Sequence, residues 1–97
     1  MTGSPPHGRR ILIVDDNADA AESLRLLLQL DGHVVTAATD GRSALAIAEA
    51  FRPQVVLLDI GLPGLSGYEV AQRLRARPGG AALTIVAVTG WSTEEDR

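Results

Sequence analysis

The sequence predicts an α/β fold: a doubly wound parallel sheet sandwiched between helices in three layers. Two observations carry this expectation. Short apolar runs, Ile11 to Val14 and Val55 to Leu58, each end abruptly in aspartate, as strands buried on both faces do. These runs alternate strictly with amphipathic stretches across short loops, a pattern that implies right-handed crossovers and a sheet covered on both sides.

The elements follow in order. Residues 1–9, opening MTGSPPHG, mix Pro, Gly and Ser without periodicity and read as a flexible tail. RILIV forms the first strand. Asn17 caps a helix running to Leu30, with Ala20, Leu24, Leu27 and Leu28 on its buried face and Asp31-Gly32 as its stop. HVVTAAT is the second strand, with His33 at the surface. Asp40-Gly41 turns into a second helix over residues 42–51, ended by Pro53. QVVLLD is the third strand, and IGLPGLSG has loop chemistry. A third helix spans about Tyr68 to Ala76, its arginines 73, 75 and 77 forming a solvated end that suits the helix dipole. LTIVAVT is the fourth strand, and WSTEEDR opens another helix.

Composition narrows the function. Of 97 residues, 45% are hydrophobic and only three are aromatic, so the core is built from Val, Ile, Leu and Ala. Cysteine is absent, which excludes disulfides, thiol nucleophiles and sulfur-ligated zinc. Two histidines, His7 and His33, cannot form a multi-histidine metal centre. The net charge of −3 argues against direct nucleic-acid binding. No apolar run is long enough for a membrane helix and no signal peptide opens the chain, so the expected location is cytoplasmic. All nine basic residues are arginine, so no lysine is available to any mechanism within these residues.

Ligand sites of open α/β sheets lie beyond the carboxyl ends of the strands. There the first strand supplies Asp15 and Asp16, the third Asp59, and the fourth Thr89. Each alone has an ordinary explanation, since aspartate favours helix entries and turns. Together, three carboxylates repel one another unless a cation lies between them. Hard oxygen ligands in a small cluster suit Mg²⁺, which also accepts a phosphoryl oxygen. A carboxylate beside such an ion can attack phosphorus.

The segments RILIVDDN, VVLLDIGLPGLSGYE and IVAVTG resemble the receiver domain of bacterial two-component response regulators, from about Arg10 to Arg97. The resemblance implies a flavodoxin-like fold and phosphoryl transfer from a phosphohistidine onto Asp59. It further implies Mg²⁺ held directly by Asp16, largely through water by Asp15, and by Asp59 and the Gly61 carbonyl. Thr89 would be the switch hydroxyl. The implied partner is a histidine kinase or a histidine phosphotransfer domain. Such a domain is a phosphoacceptor rather than an enzyme in the usual sense.

The chain departs from the family pattern in two places. Ser66 stands where many members carry an acid. The lysine that pairs with the phosphoacceptor follows a fifth strand, and this sequence holds neither lysine, fifth strand nor final helix. The expectation is therefore a receiver over residues 10–97, incomplete at its C-terminus. Its fourth strand would form an exposed apolar edge suited to homodimerisation or strand exchange. A haloacid-dehalogenase-like phosphatase would need a second aspartate at position 61, which is glycine. A pseudo-receiver, acting only as an interaction module, is opposed by the intact Asp15, Asp16 and Asp59.

Overall fold

The computed structural model describes residues 8–59, 67–77 and 80–88. Four strands alternate with three helices: β1 (Arg10–Val14), α1 (Ala18–Leu30), β2 (Val34–Ala38), α2 (Gly41–Phe51), β3 (Val55–Asp59), α3 (Gly67–Arg75) and β4 (Thr84–Val88). A short 3₁₀ turn, Gly80–Ala82, precedes β4. The sheet is wholly parallel, in the order β2-β1-β3-β4.

Period-two alternation along the strands produces the three layers. Leu12 and Val14 of β1 join Val56 and Leu58 of β3 against Ala44 and Ala48 of α2 and Val70 and Leu74 of α3. The intervening residues Ile11 and Ile13 join Val35 on the opposite face, beneath Ala21, Leu24 and Leu28 of α1. Each strand of this central pair is therefore covered on both sides, which explains its continuous apolar run.

The helix caps are made by the residues expected of them. The Asn17 side chain accepts the Ala20 N–H at 3.0 Å, and the Asp40 carboxylate accepts the Ser43 N–H at 2.7 Å. At the far end of α2, Arg52 adopts a left-handed conformation at φ 54°, where glycine is the usual occupant.

Three sequence expectations need correction. Leu27 was placed on the buried face of α1, yet it is 63% exposed, whereas Ala21 is buried. The helix presents Ala21, Leu24 and Leu28 to the sheet, and among the described residues α1 is the only helix on that side. Nothing described there covers Leu27. Of the arginines closing α3, Arg73 and Arg75 are exposed as expected and Arg77 is half-buried, but two of the three also bind backbone carbonyls. Arg75 donates to the carbonyls of Gly80 and Leu83, Arg77 to that of Leu45, and among the described residues only Arg73 of the three pairs with an acid, Glu69. His33 is not a plain surface residue, because its Nδ1 accepts the Arg9 N–H at 3.1 Å. No helix among the described residues is long and apolar enough to cross a membrane.

Candidate metal centre

The acidic cluster is a product of strand register. In the β1–β3 pairing Val14 lies opposite Leu58, so one further residue along each chain brings Asp15 beside Asp59. Asp15 extends the ladder on the other side, its N–H donating to the Ala38 carbonyl at 3.0 Å. Neighbouring strands run about 4.8 Å apart, which fixes the two carboxylates within reach of one another. Asp16 follows in the turn that leads into α1. One carboxylate oxygen from each of Asp15, Asp16 and Asp59 lies within 4.8 Å of the other two.

The three acids have different surroundings. Asp15 is only 1% exposed, Asp59 is half-buried and Asp16 faces solvent. Burying a carboxylate is costly unless it is hydrogen-bonded. Asp15 Oδ1 accepts the Asn17 N–H at 2.9 Å, a local Asx turn that holds the carboxylate in place. Asn17 in turn caps α1, whose thirteen residues direct the positive end of the helix dipole at the cluster. In the sequence Asn17 reads as a cap alone, and the D-x-N spacing is the signal that it also orients Asp15.

The donor set fits a hard divalent cation. All three ligands are oxygens of one charge, and opposed oxygens around Mg²⁺ lie about 4.2 Å apart. A set spanning 4.8 Å matches this once one carboxylate reaches the ion through water or a small side-chain rotation. Gly61 and Thr89, the other two residues expected at this site, lie outside the described residues.

The Response regulator receiver domain family matches residues 11–97. This chain belongs to that family. Curated relatives of the receiver include the probable transcriptional regulatory protein TcrX of Mycobacterium tuberculosis, 40% identical over 87 residues. That alignment covers 90% of this chain and 36% of the relative. An uncharacterised 14.6 kDa protein of Leptolyngbya boryana is 37% identical over 87 residues, covering 90% of this chain and 66% of its own length. The receiver thus spans between about a third and two thirds of these relatives. Among solved structures, the chemotaxis response regulator CheY4 of Vibrio cholerae aligns with a TM-score of 0.81 at 29% identity, covering 89% of this chain and 72% of that one. Response regulator TrrA of Thermotoga maritima, solved in complex with Mg²⁺-BeF, aligns with a TM-score of 0.77 at 36% identity. Here the coverage is 87% of this chain and 71% of the other. The receiver is accordingly a module of two-component signalling, and its described residues show the CheY-like parallel order β2-β1-β3-β4.

Proposed function

We propose that this receiver is a phosphoacceptor that takes a phosphoryl group onto Asp59 with the help of Mg²⁺. The observation that carries the reading is the convergence of Asp15, Asp16 and Asp59 at the carboxyl edge of a receiver-fold sheet. A relative of the same fold, TrrA, was crystallised with Mg²⁺-BeF. Asp15 and Asp16 would hold the ion, joined by Asp59 and the Gly61 carbonyl. When bound, the cation neutralises charge on the acids and on the incoming phosphoryl oxygens.

The remaining chemistry belongs to the chain. A carboxylate oxygen of Asp59 attacks the phosphorus of a phosphohistidine on a histidine kinase or phosphotransfer domain. The new P–O bond forms as the P–N bond breaks, with its electron pair leaving on the imidazole. Asn17 keeps Asp15 oriented while this happens. Thr89 is assigned the hydroxyl that meets the transferred group and passes the change to the chain that follows it. The reading also locates the domain in the cytoplasm, where a kinase has access to ATP. The intact acidic cluster favours it over an interaction-only pseudo-receiver.

The test is the intact mass of the protein with Mg²⁺ before and after treatment with acetyl phosphate. One phosphoryl adduct is expected, absent from Asp59→Asn and absent when EDTA replaces the metal. An adduct that persists in Asp59→Asn would place the acceptor elsewhere. A folded, Mg²⁺-binding chain that gains no adduct would favour the pseudo-receiver.

A further inference from the structure

At the opposite end of the sheet, where the strands begin, lies an open cleft of about 380 Å³. Five-residue strands set it about 17 Å from the acidic cluster. Its wall carries four arginines: Arg9, Arg10, Arg52 and Arg77. Four of the nine basic residues of a chain with net charge −3 are thus gathered at one cavity, and no acid among the described residues lines it. Among the described residues none of the four forms an ion pair, whereas Arg25 and Arg73 each pair with a glutamate.

The bland explanation is a solvated basic rim, but the cleft is held in shape. Arg10 Nε donates to the Arg52 carbonyl at 2.8 Å, and the Arg10 N–H donates to Gln54 Oε1 at 3.0 Å. Arg77 Nη1 reaches the Leu45 carbonyl at 3.5 Å, an acceptor outside the lining of the cleft. The guanidinium of Arg75 ties Gly80 and Leu83 together beneath one wall. Arg52, which lines this rim, has a backbone conformation that disfavours any side chain. Pro53, Leu74 and Leu83 give the cleft an apolar surface beside the cations. Gathering like charges without counter-ions is unfavourable unless an anion neutralises them.

We propose that this cleft binds a small multiply charged phosphate, as inorganic pyrophosphate or as the diphosphate of a nucleotide. Guanidinium forks match phosphate oxygens two at a time, and four of them exceed what a single carboxylate needs. The volume lies in the range of small-ligand sites, and the apolar wall can take a base. The site is independent of phosphoryl transfer at Asp59.

The test is a two-dimensional ¹H–¹⁵N NMR titration of the metal-free protein in EDTA at about 0.15 M salt, with pyrophosphate and with ADP in parallel. Saturable shifts are expected at Arg9, Arg10, Gln54 and Leu83, with half-saturation below about 1 mM. Tighter binding of ADP would identify the nucleotide as the source, and equal binding the phosphate groups alone. Arg77→Gln and Arg52→Gly should each weaken binding by about tenfold. Arg52→Gly is the decisive variant, because glycine relieves the left-handed backbone and should leave the melting temperature unchanged or raised. Shifts that stay linear with ligand, or wild-type affinity in a folded Arg52→Gly, would overturn the proposal.

Discussion

Replacing Asp15 with asparagine should make the metal-free receiver more stable and the Mg²⁺-loaded receiver relatively less so. The substitution is nearly isosteric, and the new amide oxygen can still accept the Asn17 N–H. What changes is charge. Two unit charges 4.8 Å apart, the span of the cluster, repel by about 0.9 kcal/mol even in bulk water. Salt at about 0.15 M roughly halves this. Asp15 faces two such neighbours, so its neutralisation relieves about 1 kcal/mol. Burial of Asp15, 1% exposed, strengthens this repulsion, while the α1 dipole and the Asn17 N–H offset part of it by favouring the charge. For a domain of this size, 1 kcal/mol corresponds to about 4–8 °C in melting temperature. Mg²⁺ narrows the gap: at ten times its dissociation constant, an ion that binds only the native state contributes about 1.4 kcal/mol. That gain is reduced in the variant, which has lost one ligand charge. Thermal unfolding followed by circular dichroism, in EDTA and across a Mg²⁺ series at pH 7, reads both effects. A variant that melts below wild type in EDTA, or melting temperatures that rise in parallel with Mg²⁺, would refute the reasoning.

Two further substitutions probe the frame around the two ends of the sheet. At Gly80, an added Cβ would stand 2.2 Å from the Leu74 carbonyl oxygen and 2.6 Å from that of Arg75, both backbone atoms that cannot swing aside. Gly80→Ala should therefore cost about 1–3 kcal/mol in urea unfolding, and an unchanged midpoint would contradict the packing described for the 3₁₀ turn. Asp40 caps α2, and the hydrogen bond from the Ser43 N–H holds its carboxyl below the usual carboxylate range. Its contribution is therefore fully present above the unfolded carboxylate value and is lost as pH falls through the lower folded value. Asp40→Asn caps without titrating, so its melting temperature should fall less steeply below about pH 4. Parallel acid limbs would count against this cap.

The sequence carried the architecture because its signals are local. An apolar run ending in aspartate, a cap three residues before a helical stripe and a glycine after it are properties of short windows. They located β1 to β4 and α1 to α3 to within a residue or two. Asp15, Asp16 and Asp59 were legible for the same reason: they end strands, and strand ends in parallel sheets share an edge. The 4.8 Å cluster then follows from the β1–β3 register.

What only the tertiary structure decided depends on partners distant in sequence. Leu27 satisfies the helical period yet is exposed, because the rotation of α1 against the sheet selects Ala21, Leu24 and Leu28 instead. Arg75 and Arg77 read as solvated charges, but their carbonyl acceptors arrive from the 3₁₀ turn and from α2. The unequal burial of three chemically identical aspartates could not be read from their order. The basic cleft was equally invisible: Arg9 precedes β1, Arg10 opens it, Arg52 follows α2 and Arg77 follows α3, and no window contains them all. A parallel sheet returns every strand to the same starting edge. It therefore collects whatever charges precede the strands at one end as surely as it collects the acids that follow them at the other.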